Sequence, residues 1–322
     1  MYFDTLTVAA VRDELTERLS GGRVQRIVQP SDLSIGLEIY AGYRYQLLLS
    51  AENQSPGIFL EEEKVRRGVE KPTPFSLLLV KYVRSARLEA VEQPPLERVL
   101  RLTFNGEYGP VYLVVEIMGR YSNLILLGMD EVILDAVKRI PPSVNRYRSI
   151  LPHQPYVPPP PQEKENPLLL TAALLRTTLE EEEGPLWWRI VNTVAGISPL
   201  VAREIVYRAL GNTEPEGPFQ QNDYVELYKA LNELMHLPTT HQWTPCIGLE
   251  EEEDTEEVSS LRPAAYAPYE LTHWPNRERV GSVFEAIQRV TEARHAVDPY
   301  QAVRNRLYAI IAEQIKRLVP GL

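Results

Sequence analysis

The sequence predicts an α+β protein in which helices pack on an antiparallel sheet, followed by a helical region. In the first half, short runs rich in β-branched and aromatic residues are separated by turn residues and interrupted by two helical segments. Beyond a proline-rich segment at 157–167, residues 168–235 have helical periodicity almost throughout. A chain of 322 residues is long enough to contain both parts.

The first predicted element is a helix within TLTVAAVRDELTERLSGG, because apolar residues recur there at helical spacing and a glycine pair follows the last of them. These apolar residues are Val8, Val11, Leu15 and Leu19. A second helix is predicted at 73–86, where Thr73 supplies an N-cap and Pro74 occupies the first helical position.

Eight short runs are predicted to be strands, since each combines strand-forming residues with turn residues at its ends. They are 23–29, 33–40, 43–50, 87–93, 97–105, 111–118, 122–127 and 131–137. The first three follow one another through short turns, so they predict an antiparallel meander.

The segment NTVAGISPLVAREIVYRAL predicts two helices joined by a short hairpin. One helix ends near Val194, Gly196 allows a tight turn, and Ser198 with Pro199 form a helix N-cap and first-turn pair. Such a hairpin can present the backbone N–H groups of Gly196, Ile197 and Ser198 to a phosphate. A plain corner between two helices is the alternative.

Changes in composition divide the chain into five predicted segments. Four successive prolines in VPPPPQEKENP cannot continue a helix or a sheet, so they indicate a linker. The acidic run at 248–260 is predicted to be mobile, and residues 281–317 to form two helices separated at Asp298-Pro299. The segments are a mixed domain at 1–156, the linker at 157–167, a helix-hairpin-helix domain at 168–240, an acidic loop and strands that return to the first domain at 241–280, and the start of coiled-coil helices at 281–322.

Several classes of protein are excluded by composition. The single cysteine, Cys246, cannot form an intramolecular disulfide or a four-cysteine zinc site. No secretory segment opens the chain, and no apolar run approaches the roughly 18 residues that a membrane span needs. Glycine-rich nucleotide motifs are absent and the five histidines are scattered, so no cofactor and no metal are expected. We therefore expect a soluble cytoplasmic protein with no membrane partner.

The net charge of -10 argues at first sight against a nucleic-acid partner, because phosphate binding requires clustered Lys and Arg. However, residues 1–160 contain 19 basic and 19 acidic side chains, so the acidic excess lies in the second half. A local basic patch in the first half is compatible with this distribution.

Arg98 lies in the predicted strand LERVLRLTF. Alternation places it on the same face as Leu96 and Leu100, and places Glu97 on the opposite face. A charge cannot be buried unpaired in such an apolar row. Arg98 is therefore expected either to reach water at the end of the strand or to bind an anion at the rim of a cleft.

The polar stretch EIMGRYSN, residues 116–123, separates two apolar runs that are predicted to be strands. One interpretation is a hairpin whose charged side chains face water. The alternative is that these polar side chains belong to a functional site.

Several segments together resemble the N-terminal part of the NFACT family, which is also described as fibronectin-binding protein A-like. The similar segments are YFDTLTVAAVRDEL, GGRVQRIVQP, LLLSA, LERV, VEIMGRYSNLIL, SVNRYRSILPHQPY and GISPLVAREIVYRA. They lie in the family's order over about the first 210 residues, and EIMGRYSN is the most specific of them. Residues 281–317 look like the start of the family's long coiled-coil arms.

The resemblance implies both a fold and a function. The implied fold is an N-terminal domain similar to that of formamidopyrimidine-DNA glycosylases, followed by a helix-hairpin-helix domain and the start of a coiled coil. The implied function is binding of stalled large ribosomal subunits that carry peptidyl-tRNA, with recruitment of alanyl-tRNA for mRNA-independent tailing of the nascent chain. Because ribosomal RNA makes the peptide bond, the protein itself is not expected to be an enzyme.

The resemblance also implies which residues engage tRNA. Asp4 and Arg98 match two of the family's residues, and Glu97 stands where the family usually has aspartate. We expect the polar residues of EIMGRYSN to line the same cleft as Arg98. They are Glu116, Arg120, Ser122 and Asn123.

Two other functions stay open from the resemblance. A DNA glycosylase of the formamidopyrimidine type would use an N-terminal proline followed by glutamate and usually a zinc finger. This chain begins Met1-Tyr2-Phe3 and has one cysteine, so it lacks both features. A fibronectin-binding adhesin is the second alternative, and fibronectin is the partner that it implies.

Overall fold

A nine-stranded antiparallel sheet forms the first half of the molecule. The structure, a computed structural model, describes residues 3–251 and 261–297. The strands are β1 (Arg23–Ser31), β2 (Ser34–Tyr40), β3 (Arg44–Ser50), β4 (Gly57–Glu61), β5 (Arg87–Glu92), β6 (Val99–Gly106), β7 (Gly109–Glu116), β8 (Asn123–Leu127) and β9 (Ile133–Ala136). Their order across the sheet is β4-β3-β2-β1-β5-β6-β7-β8-β9.

Two helices pack on this sheet, α1 (Thr5–Leu19) and α2 (Pro74–Tyr82), and both were predicted. Asp4 is the N-cap of α1, and the Thr73 side chain accepts a hydrogen bond from the Ser76 N–H as the N-cap of α2. The four apolar residues that predicted α1 are fully buried, because α1 packs against β5 and β6.

The sheet curls around one hydrophobic core. Strands β1 and β5 pair at a single position, Arg23 opposite Arg87, and β3 contacts β8, so the two halves of the sheet face each other. Leu47 from one half and Leu113 from the other belong to the same buried cluster as α1. The predicted α+β class with an antiparallel sheet is therefore confirmed.

The eight predicted strands are all present, with bounds that differ from the predicted ones by at most two residues. Strand β4 was not predicted. Its sequence, GIFLE, is only five residues long and carries few of the turn and alternation signals on which the prediction depended.

Five helices follow the proline-rich segment, and the first four lie within 168–235, where helical periodicity was predicted. They are α3 (Ala172–Glu180), α4 (Leu186–Thr193), α5 (Pro199–Leu210), α6 (Gln221–Met235) and the short α7 (Leu237–Thr240). Their apolar faces form a second buried cluster, which Leu6 of α1 joins. In the part of the chain that the structure describes, no helix is both long and apolar enough to cross a bilayer.

A small sheet connects the two clusters. It consists of β10 (Cys246–Glu251), β11 (Leu261–Ala267) and β12 (Arg277–Arg279), and α8 (Val283–Val297) follows it. Cys246 and Ala267 face the helical cluster, whereas Ile247 and Tyr266 face the core of the large sheet. The small sheet therefore contributes one face to each cluster.

Part of the acidic run differs from its prediction. Residues 248–251 belong to β10 rather than to a loop, because their backbone pairs with β11. Residues 252–260 and the second predicted helix after Asp298-Pro299 lie outside the described residues. The predicted domain boundaries stay a prediction.

Candidate nucleic-acid interface

A cavity of about 480 Å³ lies where α1, the start of β6, the proline-rich segment and the α4–α5 hairpin meet. The lining residues with polar side chains are Asp4, Thr5, Glu97, Arg98, Gln162, Lys164 and Ser198. The structure thus brings Asp4, Glu97 and Arg98 together with the predicted hairpin, although these segments are far apart in the sequence.

Asp4 connects the two helices that begin at the cavity. Its Oδ1 accepts a hydrogen bond from the Thr7 N–H of α1 (2.8 Å), and its Oδ2 accepts one from the Ser198 hydroxyl (2.7 Å). Burial raises the pKa of Asp4, and the hydrogen bonds from Thr7 and Ser198 act in the opposite direction. Because both oxygens are occupied and the residue is buried, Asp4 positions the hairpin rather than presenting a free carboxylate.

The α4–α5 hairpin has the geometry that its sequence predicted. Gly196 has a φ of +73°, a conformation that glycine adopts without strain. Ser198 caps α5, since its Oγ accepts a hydrogen bond from the Val201 N–H (3.2 Å). Among the described residues, the backbone N–H groups of Ile197 and Ser198 have no acceptor. These two donors line the cavity at the N-terminus of a 12-residue helix.

Arg98 is exposed at the cavity, beside Glu97. The prediction that these two side chains point to opposite faces was wrong, because β6 begins only at Val99 and Leu96 has a φ of +61°, which turns the chain. The Arg98 carbonyl accepts a hydrogen bond from the Ile117 N–H (2.9 Å), so the backbone of this rim is fixed. Within the described part of the chain, the Arg98 guanidinium forms no ion pair or hydrogen bond. Its donors are therefore available to a ligand.

Glu97 is the acidic neighbour of this free guanidinium. Partial burial raises the pKa of Glu97, and the positive charge of Arg98 lowers it. The carboxylate therefore gains stabilisation from Arg98, and the pair occupies one wall of the cavity.

Glu116, at the end of β7, does not line this cavity. It is 2% exposed and paired with the buried Arg148, with Oε1 to Nη2 at 2.6 Å and Oε2 to Nη1 at 3.2 Å. The Tyr156 hydroxyl donates to the same carboxylate (2.8 Å). The predicted RNA contact by Glu116 was wrong, because a buried charge in an apolar strand requires these internal partners.

Ser122 and Asn123 are also buried and have structural partners. The Ser122 hydroxyl accepts a hydrogen bond from the Met118 N–H (2.8 Å). The Asn123 Oδ1 accepts from the Leu124 and Lys138 N–H groups (2.9 and 3.0 Å), and its Nδ2 donates to the Lys138 carbonyl (2.8 Å). The predicted RNA contacts by Ser122 and Asn123 were therefore wrong as well, and these side chains fix the turn.

Arg120 is the residue of this turn that stays accessible. It lies in a short 3-10 helix, Gly119–Tyr121, two residues after Met118, which lines the cavity. Its guanidinium donates to the exposed Tyr121 hydroxyl (2.5 Å) and lies 4.7 Å from the centre of that ring. This contact holds the cation at the surface near the cavity, where its role in tRNA binding stays a prediction.

Several residues of the site were not predicted from the sequence. The proline-rich segment was interpreted only as a spacer, yet Pro159, Pro160 and Lys164 form a wall of the cavity. The Lys164 ammonium donates to the Val191 carbonyl (2.8 Å), and partial burial lowers its pKa. The available signal was the change within VPPPPQEKENP from prolines to polar and charged residues.

The family of this chain follows from comparison with known proteins. A family model described as NFACT N-terminal and middle domains matches residues 4–320. Rqc2 homolog RqcH of Bacillus subtilis (strain 168) is 37% identical over 255 residues, which cover 77% of this chain and 43% of that protein. Rqc2 homolog RqcH of Streptococcus suis (strain 05ZYH33) is 34% identical over 164 residues, covering 49% of this chain and 30% of that protein. This chain spans less than half the length of either relative.

Solved structures of similar fold include the N-terminal part of the fibronectin/fibrinogen-binding protein from Streptococcus suis, with a TM-score of 0.69 and 24% identity. That match covers 89% of this chain and 98% of the other. The fibrinogen-binding protein from Staphylococcus aureus also matches with a TM-score of 0.69, at 23% identity over 90% of this chain and 98% of the other. At such identities the likeness concerns the fold alone. Since the family match extends over nearly the whole sequence, the chain belongs to the NFACT family.

Proposed function

We propose that this chain is the N-terminal and middle part of a cytoplasmic ribosome-associated quality control factor. Its family and its 37% identity to the Bacillus subtilis Rqc2 homolog RqcH support this role. The whole protein would bind a stalled large ribosomal subunit carrying peptidyl-tRNA and recruit alanyl-tRNA, so that the nascent chain is extended without mRNA. The ribosome would make the peptide bond, and the task of this chain would be to bind and position tRNA.

One observation carries the proposal most directly: unpaired donors converge on a cavity in which the Asp4 carboxylate is already held by Thr7 and Ser198. The free Arg98 guanidinium and the free N–H groups of Ile197 and Ser198 all line it. Arginine offers paired donors to a phosphate, and a helix N-terminus favours an anion. This set suits the sugar-phosphate backbone of a folded RNA, which supplies phosphates at fixed spacing.

The test compares tRNA binding by the wild-type chain and by the double variant Glu97→Ala with Arg98→Ala. The double change removes one negative and one positive charge, so the net charge of -10 is unchanged. We expect the affinity for alanylated and deacylated tRNA to fall by about tenfold or more, since charged hydrogen bonds contribute about 1.5–3 kcal/mol. Gel shifts at physiological salt measure this, and Arg120→Ala should weaken binding in the same assay.

The matched control is Glu226→Ala with Lys229→Ala, which removes a surface ion pair from α6 and also preserves the net charge. Its tRNA affinity should equal that of the wild type. Unchanged tRNA affinity after both the double change at Glu97 and Arg98 and the change at Arg120 would refute the assignment of this cleft. Tighter binding to immobilised fibronectin than to tRNA would instead favour an adhesin.

A further inference from the structure

A row of arginines crosses the outer face of the large sheet. In the strand register Arg44 lies opposite Tyr40, Tyr40 opposite Arg23, and Arg23 opposite Arg87. All four side chains are exposed. Their chain neighbours belong to the core or pack against it, namely Tyr45, Ile39, Val24 and Leu88. Because side chains alternate along a strand, the four residues share the solvent face, and we call them the arginine row.

The arginines of this row form no ion pairs within the part of the chain that the structure describes. Among the described residues, Arg23 and Arg44 form no ion pair or side-chain hydrogen bond. Arg87 donates from Nη1 to the Gly21 carbonyl (3.1 Å) and has no carboxylate partner in the same part of the chain. Like charges directly opposite on a sheet are destabilising, so the Arg23–Arg87 pairing opposes folding.

One neighbouring pair of the sheet has opposite charges. Arg26, further along β1, faces Glu38 on β2. The carboxylate of Glu89, two residues after Arg87, accepts a hydrogen bond (2.8 Å) from the side chain of Asn105, which lies opposite Arg87 on β6. Although the chain has ten more acidic than basic side chains, the arginines of this row form no ion pair among the described residues. These exposed guanidinium groups are therefore available to an external anion.

One exposed aromatic ring lies within the row. Tyr40 lies between Arg44 and Arg23 and is 48% exposed. Tyr43, at the tip of the same hairpin, contacts Tyr45 edge-on at 5.5 Å and is not part of the row, because Tyr45 lies on the other face of the sheet. Exposed aromatic side chains on a sheet stack with unpaired bases, while arginines bind the adjacent phosphates.

The size of the row also fits such a ligand. Four neighbouring strands about 4.8 Å apart give a row of about 14 Å. RNA-binding sheets of four strands stack two or three bases over a similar width. Base-paired RNA would keep its bases inside the helix, away from the Tyr40 ring, so this exposed ring favours a single strand.

We propose that the arginine row binds single-stranded RNA, with Tyr40 stacking on a base and Arg23, Arg44 and Arg87 contacting phosphates. The row is separate from the proposed tRNA cavity. Helix α1 begins at the cavity and is 15 residues long, so its other end lies about 22 Å away. That end is close to Gly21, whose carbonyl accepts a hydrogen bond from Arg87. The inference therefore does not rest on the proposed function of the cavity.

The test measures binding of the full chain to a fluorescein-labelled oligouridylate of about 12 nucleotides by fluorescence anisotropy. We expect Tyr40→Leu to weaken binding by about fivefold or more, and Tyr40→Phe to retain it, because only the π-face is needed. The triple change of Arg23, Arg44 and Arg87 to alanine should reduce the slope of log affinity against log salt by about 2, at about 0.7 per phosphate.

Two control variants locate the effect. Tyr147→Leu removes a ring that is 61% exposed elsewhere and should not change binding. Arg98→Ala should leave oligouridylate binding intact even if it weakens tRNA binding. Thermal midpoints equal to that of the wild type establish that the variants are folded.

Three results would overturn the inference. One is oligouridylate affinity that is unchanged in Tyr40→Leu and in the triple arginine variant. Another is loss of oligouridylate binding in Arg98→Ala, which would place the oligonucleotide in the cavity. The third is equal binding of polyglutamate, which would identify the row as a general acidic-partner site.

Discussion

At the scale of single residues, Glu116 illustrates what a buried charge requires. The sequence shows a carboxylate between two apolar runs, which identifies the position as unusual. The structure pairs it with Arg148, 32 residues further along the chain, and with Tyr156. Local patterns cannot identify such a partner, because sequence separation carries no information on which side chains meet in the fold. The Glu116 carboxylate was therefore predicted to contact RNA, whereas its partners lie within the protein.

The Glu116–Arg148 pair leads to a prediction on stability. Arg148→Met should reduce the free energy of unfolding by about 3–5 kcal/mol, because it leaves a buried carboxylate without its cation. Urea unfolding followed by circular dichroism measures this. Arg146→Met, at an exposed arginine two residues away, is the matched control and should change stability by less than about 0.5 kcal/mol.

Adding Glu116→Leu to Arg148→Met should recover part of the loss, since an apolar pair needs no ionic partner. A similar small effect for Arg148→Met and Arg146→Met would contradict the structural role of the buried pair. It would also reopen a direct functional role for Glu116.

At the scale of elements, the local sequence was sufficient to predict the structure where a helix cap or a turn fixes the backbone. The α4–α5 hairpin was predicted from Gly196, Ser198 and Pro199 alone, and it has the expected geometry. Alternation failed near Arg98, because the positive φ of Leu96 breaks the strand pattern before Val99. A leucine in that conformation is rare, so the sequence contained no signal for it.

Gly196 serves two purposes, and a pair of variants separates them. A Cβ at Gly196 would meet the Leu96 side chain at 3.2 Å, whereas a Cβ at Gly211, with a nearly equal φ of +70°, would have nothing within 4 Å. Gly211→Ala should therefore cost only the backbone strain of about 1 kcal/mol, and Gly196→Ala should cost more. Thermal or urea unfolding of both variants measures the difference.

The hairpin also presents the free N–H groups of Ile197 and Ser198, so tRNA binding is the second measurement for these variants. Gly196→Ala should weaken tRNA binding and Gly211→Ala should not. Equal unfolding free energies for the two variants would show that the contact with Leu96 does not constrain the hairpin.

At the scale of the whole molecule, contacts between residues far apart in the sequence determine the features that could not be predicted. Strand existence follows from local composition, and most strand bounds were predicted within two residues. The curl of the sheet depends on the contact between β3 and β8, and the sharing of β10 and β11 between two cores depends on distant partners. The cavity is formed by the same kind of contact, since Asp4 and Ser198 meet across 194 positions of sequence.

A second long-range connection joins the helical region to the segment after β11. Glu204 of α5 is fully buried and accepts hydrogen bonds from the Thr272 hydroxyl (2.7 Å) and the Arg208 guanidinium (2.6 Å). One ring nitrogen of His273 lies 2.5 Å from the same carboxylate. Burial alone would raise the pKa of Glu204, but the hydrogen bonds from His273, Arg208 and Thr272 together lower it to about 2.

This depressed pKa predicts how the whole fold responds to acid. A carboxylate with a folded-state pKa of about 2, against an ordinary 4.5, stabilises the fold above pH 4.5, and this stabilisation is lost as the pH falls towards 2. Glu204→Gln removes the titrating group. Its unfolding free energy should lie below that of the wild type at pH 7, and the difference should shrink by up to roughly 3 kcal/mol at low pH.

Urea unfolding between about pH 7 and pH 3 measures this convergence, because most of the Glu204 titration in the unfolded chain occurs there. Glu226→Gln, at a half-exposed carboxylate of α6, is the control, and its difference from the wild type should stay small at every pH. The raised pKa of Asp4 changes stability with pH in the opposite direction to Glu204. Because Asp4 is present in the wild type and in both variants, its contribution cancels when their unfolding free energies are compared. If the difference in unfolding free energy between Glu204→Gln and the wild type stayed constant across this pH range, the carboxylate would not stabilise the fold through its charge. The connection between α5 and the segment after β11 would then depend on packing alone.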